Sequence, residues 1–308
     1  MSIPHGTDGF RAAAVTVDIT PPVGYELAGY SARQQPSNAL RDPLRGRLLL
    51  LDDGTTRLAI ITMDLIGVEW ETTLAIREAI GQTAQVPAAQ VLVNCSHTHA
   101  GPDTRKYQGY LTQVVEKLGG AALVACGQLA PARVTYGEDC LDFNVNRRLR
   151  DAEGKVLMAP NPEGPVDRRL RVLRVDIEDA RPMAVLFHGV CHANALRSEN
   201  LAISADFPGI AQDFVAAAFP GCTPLFLQGC SGDVRANLPG AGGFRSADQE
   251  DLRWCGYSLG AAAVRAAARA GTREGREEGA LEGKLGGLEV VLELPTREGS
   301  SKQYPVQA

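Results

Sequence analysis

The chain has 308 residues, 44% hydrophobic and 22% charged, the make-up of a soluble globular protein with room for one large domain. A net charge of −5 with no basic block argues against a general nucleic-acid binder, and no apolar run reaches membrane-spanning length. The seven cysteines, an odd count without CxxC spacing, read as reduced thiols of a cytoplasmic protein, and Met1–Val15 lacks the apolar core of a signal peptide.

In chain order, Arg11–Val17 reads as a first strand, stopped by the Pro21-Pro22 turn, and Tyr25–Leu44 as loop. Arg47–Leu51 and Leu58–Met63 flank Asp53-Gly54, the pattern of a β-hairpin. Apolar positions at Leu74, Ile76 and Ile80 predict a helix over Glu69–Gln82. Val91-Leu-Val93 is a short buried strand that runs into Ser96-His97-Thr98-His99 and stops at Gly101-Pro102. Alternation along a strand would put His97 and His99 on one face. A second helix is expected over Tyr110–Cys126 and a strand over Arg133–Tyr136. Asp142–Arg148 and Pro160–Pro165 read as polar loops, and Leu170–Ile177 and Met183–Phe187 as strands, the second leading into His188–His192. Phe207–Phe219 reads as a helix, Pro224–Gln228 as a strand, Ala247–Ala270 as a long Ala-rich helix and Leu285–Leu294 as a last strand. Intermixed strands, helices and hairpins predict a mixed α/β (α+β) fold, mixed β-sheets flanked by helices in a single large domain over 1–295, with 296–308 a disordered or truncated tail.

Of five histidines, four fall in two tight pairs, His97/His99 and His188/His192. Three polar clusters follow strands: Ser96–Asp103, His188–Asp206 and Gln228–Asn237. If they converge, they bring together His97, His99, one or both of His188 and His192, Asp206, Ser231 and Asp233. Imidazoles with a carboxylate are the ligand set of a catalytic zinc centre with an open water position. Against that stand blander roles: a core histidine for His188, a turn residue for Asp233. A metallo-β-lactamase run would need Asp where Gly101 stands, and an amidohydrolase barrel would place its HxH on the first strand.

Taken together, these landmarks resemble the N-terminal amidase domain of the neutral/alkaline non-lysosomal ceramidases, over about residues 13 to 240. They are Asp18-Ile-Thr-Pro-Pro, Asp42-Pro-Leu, Ser96-His-Thr-His-Ala-Gly-Pro102, Asn146-Arg147, His192–Asn200, Ser204–Gly209 and Gln228–Asn237. The resemblance implies paired β-sheets flanked by helices and a Zn2+-dependent hydrolase of a small-molecule amide. It places zinc on His97 and, counting back from Asp206, on His192 rather than His188. It sets His99 beside metal and substrate as a catalytic group, with Arg147 near the substrate and Asp233 in the catalytic loop.

Two departures qualify it. Where the family carries a serine proposed as nucleophile, this chain has Arg235, and a guanidinium cannot attack a carbonyl. Neighbouring Ser231 and Cys230 show no activating partner in sequence. The family's remaining zinc ligands, a glutamate and a tyrosine, come from a more C-terminal region, and Glu289, Glu293 and Tyr304 lack their context. Arg235 and Asn237 are therefore expected to bind substrate, Arg235 favouring one with a carboxylate or phosphate. The competing expectation is a non-catalytic or truncated ceramidase-like domain that acts as a binding module. A purely structural protein has no positive support, and the oligomeric state is not legible.

Overall fold

Leu48, Leu49, Leu50 and Leu51 are all buried, which a strand achieves only when both of its faces are covered. The computed structural model of the chain, which describes residues 10–177, 181–281, 284–287, 289–294 and 302–307, shows how. Strand β1 (Phe10–Asp18) is followed by the two-residue β2 (Ala39–Leu40) and then by β3 (Arg45–Asp52) and β4 (Arg57–Met63), which form the expected hairpin. In its turn, Asp53 Oδ1 accepts from the backbone of Thr55 and Thr56, and Gly54 takes a φ of +83°. Helix α1 (Trp70–Ala84) then crosses to β5 (Val91–Cys95), parallel to β4.

Helix α2 (Gln108–Gln128) leads to β6 (Ala130–Cys140), longer than its sequence suggests, and to β7 (Asn144–Arg150) and β8 (Val156–Asn161). β9 (Arg169–Ile177) and β10 (Arg181–Gly189) follow, then the short β11 (Ala202–Ile203), α3 (Asp206–Ala218) and β12 (Thr223–Gln228), parallel to β10. The small strands β13 (Val234–Ala236), β14 (Pro239–Gly240) and β15 (Gly243–Phe244) precede α4 (Gln249–Ala270) and α5 (Arg273–Glu278). α4 starts in a capping box between Asp248 and Asp251. β16 (Glu289–Leu294) pairs antiparallel with β17 (Lys302–Gln307).

One mixed eight-stranded sheet has the order β12-β10-β9-β6-β1-β3-β4-β5. Leu48, Leu50, Ile61 and Met63 pack under α1 and α2 with Leu118 and Ala122. Val185, Phe187 and Phe226 pack under α3 and α4 with Phe207 and Leu259. The opposite face carries Leu49, Leu51 and Ile60 from one half of the sheet and Leu186, Leu225 and Val175 from the other, in one shared cluster. The sheet therefore folds onto itself between two outer helical layers. Its edge strands β5 and β12 meet, and Asn94 and Gln228 exchange two hydrogen bonds of 3.2 and 3.0 Å.

The expected mixed fold with helical flanks is observed. The reading of Asp142–Arg148 as loop is corrected, because Asn144–Arg150 is the centre of a three-stranded sheet, β13-β7-β8. Buried Asn144 and Asn146 made this stretch look like a turn. Their side-chain amides instead tie loops together, Asn144 donating to Val190 O at 2.8 Å and Asn146 to Pro165 O at 3.0 Å.

Candidate metal centre

Strand β5 ends at Cys95, before the histidine pair. Strand alternation therefore does not bring His97 and His99 together. A turn does: His97 adopts a left-handed φ of 64°, a conformation uncommon outside glycine and asparagine. The turn is pinned at each step. Ser96 N donates to Met63 O at 2.9 Å, His97 N to Leu65 O at 2.9 Å, and His99 N to Ala193 O at 3.1 Å. His192 follows β10, with its N–H on Val234 O at 3.0 Å and its backbone bridged to Arg235.

These loops converge because β5 and β12 converge. Gln228, the last residue of β12, donates through Nε2 to Ser96 O at 3.2 Å and to Cys191 O at 2.8 Å. One amide thus holds the loops of both histidine groups, a role that nothing in the sequence marks.

Each imidazole uses Nδ1 on a backbone carbonyl: His97 on Ile66 O at 2.7 Å, His99 on Gly29 O at 3.2 Å, His192 on Ser231 O at 3.1 Å. A carbonyl only accepts, so each Nδ1 carries a hydrogen, and Nε2 is the ring atom left to ligate. The three side chains converge, one donor atom from each lying within 4.8 Å of the others, and Nε2 of His99 and of His192 are 2.9 Å apart. Two lone pairs at that distance repel unless a cation or proton lies between them. Burial, reinforced by the neighbouring imidazoles, lowers His99 to about 3. Burial likewise lowers His192 to about 4, with His97, Arg147 and Arg235 pushing the same way. Both shifts favour the neutral form of the ring, the form that can ligate a metal. Carbonyl-oriented imidazoles with converging donor atoms are what a divalent metal ion requires.

Gly29 makes the His99 contact possible. A Cβ there would lie 2.1 Å from His99 Nδ1, and its φ is +94°. The Tyr30 ring packs 5.0 Å from that of His99, its hydroxyl donating to Asn194 O at 3.3 Å, and burial raises the phenol to about 12. Tyr30 lies in a stretch read from the sequence as loop, and no motif singled it out.

Of the other expected residues, Arg235 is 5% exposed and donates to Asn194 O at 3.1 Å. Arg147, half-buried on β7, donates from Nε and Nη2 to Gly232 O at 3.1 and 2.7 Å. Asp233 accepts from Asn146 Nδ2 at 3.1 Å, and its carbonyl accepts from Arg147 N at 2.7 Å. Asn237 is exposed, its backbone N–H on Phe143 O at 2.7 Å. Ser231 is buried and offers the cluster its carbonyl, while Cys230 is exposed.

His188 and Asp206 stand apart from the cluster. His188 lines a separate cleft with Asp167, Arg169 and Cys230, its Nδ1 3.4 Å from Arg171 Nη1. Asp206 is fully buried at the start of α3, accepting from Leu196 N at 3.0 Å and Phe207 N at 2.7 Å. The side chains of Glu289, Glu293 and Tyr304 lie outside the described part of the chain.

A family profile described as neutral/alkaline non-lysosomal ceramidase, N-terminal, matches residues 10–255. Among solved structures, the chain is similar to the neutral ceramidase of Pseudomonas aeruginosa, with 19% identity and a TM-score of 0.76 over 97% of this chain and 51% of that one. A structure described as ceramidase complexed with C2 matches with 19% identity and a TM-score of 0.74, over 96% of this chain and 50% of that one. The chain thus spans about half the length of these structures. No curated protein matches it.

Proposed function

The chain belongs to the neutral/alkaline non-lysosomal ceramidase family, and from that premise we propose that it is a zinc-dependent hydrolase of amide C–N bonds whose substrate is not a ceramide. The observation that carries the reading is the convergence of three imidazoles whose Nδ1 hydrogens are all taken up by backbone carbonyls.

In this reading His97 and His192 hold the zinc through Nε2. A bound zinc ion supplies Lewis acidity, which brings the pKa of a water molecule to about 7. His99, with Tyr30 packed on its ring and Nε2 facing His192, takes the proton of the attacking water as the C–O bond forms. It returns that proton to the amide nitrogen as the C–N bond breaks. Arg147, anchored on Gly232 O, sits beside the centre to hold a polar substrate group. Asp233 is a positioning residue, fixing the β7 edge through Asn146 and the Arg147 amide. Asn237, at the exposed end of β13, would meet the substrate farther from the reacting atoms. The non-ceramide substrate follows from Arg235, a buried cation where the resemblance implies a serine.

The test is metal content measured alongside hydrolysis of N-acyl substrates. Purified chain is expected to hold near-stoichiometric zinc, His97→Ala and His192→Ala to lose it, and His99→Ala to keep it while losing turnover. Wild-type zinc content in His97→Ala would overturn the assignment. Zinc uptake without hydrolysis of any amide would favour a ceramidase-like domain that binds without catalysing.

A further inference from the structure

Arg33, Arg197 and Arg235 close a ring of contacts beside the histidines. Arg33 donates from Nη1 to Ala28 O at 2.8 Å and to His99 O at 3.0 Å, and from Nη2 to Arg197 O at 3.3 Å. Arg197 donates to Phe244 O, and the Phe244 ring lies 4.5 Å from Arg235 Cζ. Arg235 and the Tyr30 hydroxyl share Asn194 O, and the Tyr30 ring lies 5.2 Å from Arg33 Cζ. Arg147, which also acts electrostatically on His192, donates to the carbonyl of Gly232.

Among the described residues, none of these four guanidinium groups forms an ion pair; their partners are backbone carbonyls and aromatic rings. The carboxylates that reach Arg33 and Arg147 electrostatically are those of Glu199 and Asp233, and neither carboxylate bonds to a guanidinium of the ring. Nε of Arg33 and Nε of Arg235 are buried with no hydrogen-bond partner, and Arg235 as a whole is 5% exposed. A buried, unpaired guanidinium with an orphaned donor is costly unless an anion completes it. Asn194 Oδ1, also buried and partnerless, adds one acceptor beside these donors, suited to an N–H.

We infer that this ring, centred on Arg235 and Arg33, is an anion subsite, and that the substrate is an amide carrying a carboxylate or phosphate close to its scissile bond. The closeness follows from the geometry: Arg33 bonds the His99 carbonyl, Tyr30 packs on both Arg33 and the His99 ring, and Arg235 is the backbone neighbour of His192. Planar guanidinium donors match either oxyanion. The amide part of the inference rests on the hydrolase reading above, while the anion subsite stands on the arginines.

The test is calorimetric titration of the full chain, zinc-loaded and zinc-free, with N-acetylglycine and its neutral counterpart N-acetylglycinamide. Wild type is expected to bind the carboxylate at least about tenfold more tightly. Arg235→Gln should bring the two ligands to equal affinity, Arg235→Lys should keep part of the preference, and Arg273→Gln on the exposed α5 should leave it unchanged. Competition by inorganic phosphate or by acetate then identifies which oxyanion the subsite prefers. Equal affinity of wild type for both ligands overturns the inference without recourse to any variant, and so does a preference that survives in Arg235→Gln. Zinc-dependent hydrolysis of N-acetylglycinamide with no anion preference would refute the subsite and leave the hydrolase reading standing. An Arg235-dependent preference with no amide hydrolysis would do the reverse.

Discussion

Gly29 shows how one residue far from the histidines in sequence shapes the site. With a φ of +94° and His99 Nδ1 at 2.1 Å from any added Cβ, it tolerates no side chain. Gly29→Ala is expected to displace the His99 ring, to lower stability by about 1–3 kcal/mol, and to lower turnover while leaving metal content unchanged. Thermal denaturation, turnover and metal content of the variant check this. Asp42 gives a second prediction at this scale. Burial, with Asp64 adding to it, pushes its carboxyl from 3.8 up to about 6, although Ser204 Oγ and Ala205 N both donate to it at 2.6 Å. The folded value lies above the unfolded one. The stabilising contribution is therefore complete below 3.8 and is lost as pH rises through 6. Relative to Asp42→Asn, wild type should gain stability as pH falls from 6 to 4, by at most about 1.4 kcal/mol per pH unit. Paired denaturant titrations at each pH test this, and a difference that does not change with pH would refute it.

Among the elements, the ends of β5 and β12 do the most to build the site. Gln228 bonds to Asn94, Ser96 and Cys191, so it fastens the His97–His99 turn to the His192 loop. Gln228→Ala removes the Nε2 donor and leaves the carbonyls of Ser96 and Cys191 without this partner, while the backbone bonds to Asn94 remain. The expected loss is about 1–3 kcal/mol, together with weaker metal binding. The readouts are chemical denaturation and metal titration, and a variant that unfolds like wild type and binds metal equally would show that the two loops hold without it. The strands themselves were readable, because runs such as Leu48–Leu51 and Val91–Val93 have few other ways to bury themselves. β7 was not, since Asn144 and Asn146 have the composition of a turn while their amides serve as interior ties. His97 and His99 stood out by residue type and spacing, but the left-handed turn that joins them did not. Gly29, Tyr30 and Arg33 were invisible as site residues, and Gln228 stood out only as the start of a polar cluster, because their roles depend on distant segments rather than on local pattern.

At the scale of the whole molecule, the mixed fold was legible from the intermixing of strand and helix periodicities. The folding of the sheet onto itself was not, because a leucine run buried on both faces does not say what covers each face. Likewise, the two histidine groups were each visible, while their meeting depends on β5 and β12 being opposite edges of one sheet. Among the described residues, no helix is long and apolar enough to cross a membrane. The joining of the two edges also bears on the order in which the chain acquires its structure. Asn94 and Gln228 are 134 residues apart, and their bond closes a loop that includes β6, β9 and β10. Such a contact carries a large loop-closure entropy and forms late, after the local hairpins and the strand–helix–strand units on either side have consolidated. The imidazole cluster is assembled by that closure, and is expected to be complete only after it. A chain still emerging from synthesis has His97 and His99 available long before His192, and the complete donor set exists only once both halves have docked.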